Sequence, residues 1–296
     1  KYSRMVPRES FNIVQAPRGK AMTESLSVLI VSKGHDYAHD SFLGMFAAMS
    51  GVNATLVEQP AAQTVLQPEY VDEYDAIFFY DMSGIPGAGL LHDDANDTGV
   101  PPARYVRAVE NLLAIGMGMV LVNHATVGWP LWPLWRQISG SSFMLTAGEL
   151  NGKQVPGSGY RGGHGPLENA TIRLMAETEH PVLEGLQDGF EITDELYLKT
   201  ADYEADVVPL LRGDYEFVMD NFTPPPMAPA EEQESWSHPP GSNLVAWANA
   251  CGNSPIVVSD VGDSPLAYDD ENFRRLIENS LRWVASAGAS DWARTR

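Results

Sequence analysis

Four short runs rich in β-branched and aromatic residues, separated by segments of helical period, constrain this chain more than any other feature. SVLIVS (27–32), ATLVEQ (54–59), AIFFYD (76–81) and MVLVN (119–123) read as strands. Between the first two, DSFLGMFAAM (40–49) places Phe42, Met45, Phe46 and Met49 on one helical face, with Asp40 or Ser41 as its cap. ARYVRAVENLLAIG (103–116) is an amphipathic helix stopped by Gly116. Parallel strands need a long crossover, usually a helix, so this rhythm predicts an α/β fold with a doubly wound parallel sheet.

The second half follows another pattern. Residues 140–165 are glycine-rich with little periodicity, which predicts a long functional loop or lid. ATIRLM (170–175), GFEITDELYLKT (189–200) and DVVPLLR (206–212) are strand-like runs without helices between them, and they predict an antiparallel extension. The Pro-rich, acidic stretch 222–241 reads as an irregular surface insertion. NLVAWAN and SPIVVSDVG return to strands, and ENFRRLIENSLRWVAS (271–286) is a closing amphipathic helix.

Charge and cysteine content narrow the partners. The chain carries 39 acidic against 19 basic residues, a formal charge of −20. That sign repels nucleic-acid backbones and anionic membranes, so neither is expected as a partner. Cys251 is the lone cysteine, which excludes a disulfide framework and a Cys-rich zinc site. No apolar run nears the roughly 20 residues that span a bilayer. The expectation is an acidic, soluble, cytoplasmic protein. Residues 1–21 differ, with five basic residues and the single acid Glu9. They are read as an N-terminal tail before a single domain at 22–290: an extended reading frame, a cloning remnant, or an arm packing on a partner subunit of a homo-oligomer.

In an open parallel sheet, ligands bind beyond the carboxyl ends of the strands. Three such ends here carry polar groups: Gly34, His35, Asp36 and His39; Asp81, Ser83 and Gly84; Asn123, His124 and Thr126. Helix capping or bound water accounts for any one of these residues, but the group converging on one edge reads as a site. Imidazoles with a carboxylate suit zinc or manganese, although no HxH or HExxH spacing is present. Without metal, His35, His124 or His164 would serve as general acid or base. SGYRGGHGP (158–166) sets Tyr160, Arg161 and His164 among glycines whose bare backbones allow close approach to a ligand. FEITDELYLK (190–199) carries Asp194, Glu195 and Tyr197; on one continuous strand only one of the two adjacent acids faces a given site, and the alternative is a capped turn that interrupts the strand at the pair. Trp129, Trp132 and Trp135 read by default as core, and alternatively as a wall for a sugar ring.

At these motifs the chain resembles the ThuA-like (trehalose-utilisation) family, within the class I glutamine amidotransferase-like, flavodoxin-like fold. The matching stretches are VLIVSKGHDYAHD, YDAIFFYDMSG, GMGMVLVNHATVGWPLW, GSGYRGGHGP, HPVLEGLQDGFEITDELYLK, VPLLR and GDSPLAYDDENFRRLIENSLRW. The resemblance implies carbohydrate use, often beside sugar oxidoreductases. Two departures matter. The family usually has Gly-His where this chain has Gly262 and Asp263, and the turn that carries the amidotransferase cysteine holds Asn123, His124 and Ala125. Cys251 lies elsewhere, so it is expected to be structural and Cys-dependent amidotransfer is excluded.

The resulting expectation is an enzyme acting on a sugar, glycoside or keto-sugar, of lyase, hydrolase or isomerase type. Its catalytic set is His124, His164, Asp194 and Glu195. Substrate contacts come from Asp36, Asp81, Trp129, Tyr160, Arg161 and Tyr197, and a divalent metal (zinc or manganese) sits on His35, His124 and His164. No nucleotide cofactor is expected, because no GxGxxG follows the first strand. The alternative is a non-catalytic carbohydrate-binding or regulatory subunit working with a separate oxidoreductase.

Overall fold

The computed structural model describes residues 25–85, 99–150 and 152–296; the tail expected at 1–21 lies outside them. The chain runs β1 (Leu26–Lys33), α1 (His39–Ala47), β2 (Val52–Glu58), α2 (Ala62–Val65), β3 (Ala76–Asp81), α3 (Ala103–Ile115) and β4 (Gly118–Val122). After α4 (Pro133–Ser139) come the short strands β5 (Gly148–Leu150), β6 (Lys153–Val155) and β7 (Gly159–Arg161). Then follow β8 (Ala170–Ala176), β9 (Phe190–Asp194), β10 (Leu196–Leu198), β11 (Val208–Gly213) and α5 (Ala230–Ser235). The chain finishes with β12 (Leu244–Cys251), β13 (Ser254–Ser259), α6 (Pro265–Asp269), α7 (Glu271–Val284) and α8 (Ala287–Ala293).

Nine strands form one sheet in the order β2-β1-β3-β4-β13-β12-β11-β8-β9. The first five pair in parallel, and from β13 to β9 every pairing is antiparallel. This is the expected doubly wound parallel sheet with an antiparallel extension. Within the parallel half β1, β3, β4 and β13 are buried on both faces, which explains the continuous apolar composition of those runs, whereas the edge strand β2 is half-exposed. Side chains alternate along β1: Val28 and Ile30 join Phe42, Phe46 and Phe273 on the α1/α7 face, whereas Leu29 and Val31 join Tyr105, Leu112 and Trp135 on the α3/α4 face. Each fully buried side chain of this size contributes roughly 2 kcal/mol. The helix α7 begins where Asp270 accepts from the backbone of Asn272 (2.9 Å) and Phe273 (2.8 Å), a cap worth about 1 kcal/mol.

Two readings of the second half need correction. The run 189–200 is not one strand: pairing stops at Asp194, and β10 joins β7 in a separate two-stranded sheet. The stretch 140–165 is not a structureless loop either, because β5 and β6 form a hairpin and β7 is a strand. Among the described residues, no helix is long and apolar enough to cross a membrane.

Candidate functional site

The site assembles where several strands end. At the end of β1, Lys33 and Gly34 adopt left-handed backbone (φ 105° and 95°), the turn that presents His35. The end of β4 turns through Asn123 (φ 52°) into His124. Beyond β13, Gly262 sits at φ 127°, and a Cβ there would lie 2.5 Å from Phe273 and 2.6 Å from Val122. Glycine is therefore required at that point, and Asp263 follows it into the site. The loop after β7 supplies His164, and the break between β9 and β10 supplies Glu195.

Asp263 is the hub. Its Oδ1 lies 3.2 Å from His124 Nδ1, 3.8 Å from His35 Nδ1 and 3.1 Å from the Tyr80 hydroxyl, which donates to it. Its Oδ2 lies 3.8 Å from His164 Nε2. The rings of His35 and His124 stack at 4.5 Å, and His164 meets His35 edge-on at 4.7 Å, with their Nε2 atoms 3.0 Å apart. His124 Nε2 faces the Tyr80 carbonyl at 3.2 Å, and its Nδ1 also faces Asn123 Oδ1 at 3.0 Å. Tyr80 and Tyr268 hydroxyls lie 2.5 Å apart behind the hub.

Two further carboxylates complete the centre. Asp194 accepts from the backbone N–H groups of Gly262, Asp263 (3.2 Å) and Glu195 (2.9 Å), and so ties β9 to the segment after β13. Glu195 accepts from Tyr160 (2.6 Å) and lies 2.5 Å from the Tyr197 hydroxyl. The same Tyr197 oxygen is 2.9 Å from Asn123 Oδ1. The pair Lys199 and Asp260, 2.5 Å apart and buried, lies beneath: the Asp260 carbonyl accepts from Asn123 Nδ2 at 3.0 Å.

Burial and neighbouring charge set the protonation tendencies. Burial, reinforced by the charge of His124, lowers His35 to about 4, which keeps it neutral. Burial pushes Asp263 up, but its contacts with His124 and His164 prevail and hold it well below the usual carboxylate range. The contact with Asp263 raises His164, against burial. Burial first, then the charge of Asp263, raises Glu195. Burial, then the charges of Glu195 and Asp263, raises Asp194.

The structure thus brings together His35, His124, His164, Asp194, Glu195, Tyr160 and Tyr197. Both acids of the 194–195 pair reach the centre because the strand breaks between them, contrary to the continuous-strand expectation. Other expected substrate contacts lie apart. Asp36 is exposed at the rim. Arg161 is turned to the Tyr215 ring (5.7 Å) and the Asn221 carbonyl (3.3 Å). Trp129 is wholly buried against Gly84 and Tyr105, so it is core rather than a sugar wall. Asp81 is likewise wholly buried on the α3 side, where Gln59 (3.0 Å) and Ser83 (2.9 Å) donate to Oδ2. Sequence reasoning marks Asp263 only as a departure that removes one candidate ligand or replaces it with a carboxylate, and assigns no role to Tyr80 or Tyr268. The available signal was the Gly262-Asp263 departure at a strand end.

A cavity of about 550 Å³ lined by His180, Trp283 and Trp292 lies elsewhere, against α7 and α8. It contains none of the clustered histidines and carboxylates.

Comparison with known proteins agrees with the fold. A ThuA-like protein from Bacteroides uniformis ATCC 8492 is 17% identical, with 91% of this chain and 95% of that chain covered, at a TM-score of 0.59. A ThuA-like protein from Parabacteroides merdae ATCC 43184 is 16% identical, with 88% and 90% covered, at a TM-score of 0.56. The cytoplasmic protein STM3548 from Salmonella typhimurium is 12% identical, with 88% and 99% covered, at a TM-score of 0.50. No curated protein matches the sequence. The family model ThuA, described as trehalose utilisation, matches residues 27–284. With that match spanning most of its length, the chain belongs to the ThuA (trehalose utilisation) family.

Proposed function

We propose that this chain is a carbohydrate-utilisation enzyme that holds a divalent cation, zinc or manganese, between His35, His124 and Asp263, and carries out acid–base chemistry on a sugar, glycoside or keto-sugar. One observation carries the reading: the wiring of His124. Its Nε2 faces the Tyr80 carbonyl, which only accepts, so Nε2 bears the proton. Its Nδ1 then points a lone pair at two more acceptors, Asn123 Oδ1 and Asp263 Oδ1. The Asn123 amide cannot be flipped to relieve this, because Nδ2 donates to the Asp260 carbonyl and Oδ1 accepts from the His124 N–H. Converging lone pairs in a buried site need a positive centre among them. A second proton on Nδ1 would serve His124 alone. However, His35 Nδ1, buried and among the described residues without a hydrogen-bond partner, addresses the same Asp263 oxygen. Two imidazoles and one carboxylate, with ligand atoms within 4.8 Å of one another, suit a divalent metal with open coordination positions. His164, expected as the third ligand, is paired with His35 instead, and Asp263 takes its place.

Such a cation, when bound, polarises a carbonyl or stabilises an enediolate oxygen. His164 lies at the other oxygen of Asp263, Glu195 offers a ligand atom within 4.8 Å of both, and the two are the groups suited to give and take the proton. Tyr160 and Tyr197 hold Glu195 in place by one hydroxyl contact to each oxygen. Membership of the trehalose-utilisation family supports carbohydrate as the substrate class. A cytoplasmic setting fits a single cysteine without a disulfide partner.

The test is elemental analysis of the purified protein, followed by turnover assays on sugars and 3-keto-sugars with wild type and His124→Ala. Bound metal and activity that disappear together in the variant are expected. Sugar binding that persists unchanged and metal-free in His124→Ala would overturn the enzyme reading in favour of a binding subunit.

A further inference from the structure

We infer that the site has a second cation position, formed by Asp263 Oδ2, His164 and Glu195, so that Asp263 bridges two divalent ions; this rests on the metal reading above. The two oxygens of Asp263 address different donors. Oδ1 faces His124, His35 and Tyr80, whereas Oδ2 faces His164 Nε2 at 3.8 Å. His164, Glu195 and Asp263 offer three ligand atoms within 4.8 Å of one another. Tyr160 and Tyr197 each engage one Glu195 oxygen, and a carboxylate has about four lone-pair sites, so both oxygens keep one free. One imidazole with two carboxylates is a harder set than the first position and favours a manganese-like ion.

The carboxylates of the site have no permanently charged partner. Asp194, Glu195 and Asp263 converge in a buried region, yet among the described residues none of them pairs with a lysine or arginine. The buried cation Lys199 is committed to Asp260. Buried carboxylates without such a partner either hold a proton or coordinate a metal.

The contact between His35 and His164 sets the order of loading. A cation on His35 Nδ1 leaves the His35 proton on Nε2, where it donates to His164 Nε2 at 3.0 Å. That lone pair is the one the second position needs, so the second ion must displace a hydrogen bond. It binds after the first and more weakly, and while it is bound His164 and Glu195 act as its ligands and are withdrawn from the proton-transfer role proposed above.

The experiment is a titration of metal-stripped full-length chain with Mn²⁺ alone, read by calorimetry, elemental stoichiometry and electron paramagnetic resonance. Wild type is expected to take two equivalents, the second at least tenfold weaker, with an exchange-coupled spectrum when both are bound. Glu195→Gln and His164→Asn should each take one, with first-step affinity within threefold of wild type. A single equivalent in wild type overturns the second position and leaves the first reading standing. A second equivalent that survives both variants, or gives only the six-line spectrum of an isolated ion, also overturns it. No binding at all sinks both readings. The wild-type spectrum decides the matter even if either variant fails to fold.

Discussion

Asp81→Asn should stabilise this protein above neutrality. The Asp81 carboxylate is wholly buried; Oδ2 receives Gln59 and Ser83, while Oδ1 has no partner among the described residues. Burial pushes the group up from 3.8 to about 6, against the opposing hydrogen bonds of Gln59 and Ser83. The folded state therefore binds this proton more tightly than the unfolded chain. The contribution is fully present below 3.8 and is lost as pH rises through about 6. A proton held more tightly in the folded state is worth about 1.4 kcal/mol for every tenfold in affinity, so the whole effect is about 3 kcal/mol, of which roughly half develops between pH 5 and pH 8. Asparagine keeps the shape, supplies an acceptor to Gln59 and Ser83, and never ionises. Urea unfolding of both proteins across pH 5 to 8 should thus show the variant gaining about 1.5 kcal/mol relative to wild type as pH rises. A stability difference that stays flat over that range would refute the reasoning. It would mean that Asp81 is already neutralised or solvated by something its contacts do not include.

Three further outcomes can be checked. Gly262→Ala should cost at least about 2 kcal/mol in chemical denaturation and weaken Mn²⁺ binding, because the new Cβ meets Phe273 and Val122 in a left-handed backbone next to Asp263. Lys199→Met should cost about 3–5 kcal/mol by stranding Asp260, and adding Asp260→Leu should recover much of that loss in the same assay. Cys251→Ser should leave turnover within a few-fold of wild type, and native thiol alkylation at pH 7.5 should be slow, since burial pushes the thiol up to about 11.

The parallel half of the fold was legible because its signal is local: apolar runs and helical period each sit within a dozen residues. The antiparallel half was less so. The adjacent acids Asp194 and Glu195 interrupt an alternation that resumes at Leu196, which admits a turn there, but nothing local reveals that β9 and β10 belong to different sheets. The histidines stand out by strand-end position, which the parallel topology guarantees. Asp263 gains its role only because β13 pairs beside β4, a register linking Val122 to Ser259 that no spacing motif encodes. Asp81 shows the converse error. It follows Tyr80 on β3, and adjacent strand residues face opposite layers, so when Tyr80 turns to the histidines Asp81 must turn to α3. Polarity at a strand end is a poor guide without the alternation that decides which face a residue serves.

The strand order puts β9 four places from β13, and at about 4.8 Å per step a flat sheet would hold them roughly 19 Å apart. Yet the backbone after β13 donates directly to Asp194 at the end of β9. The antiparallel half must therefore roll over until its outer margin meets the middle of the sheet, and the site is the seam of that roll. Mechanically, this couples ligand geometry to curvature: any strain that unrolls the sheet by a few degrees per strand pulls Glu195 away from Asp263 before it breaks a single ladder hydrogen bond. Kinetically, the seam joins segments 68 residues apart, a non-local contact of the kind that slows folding.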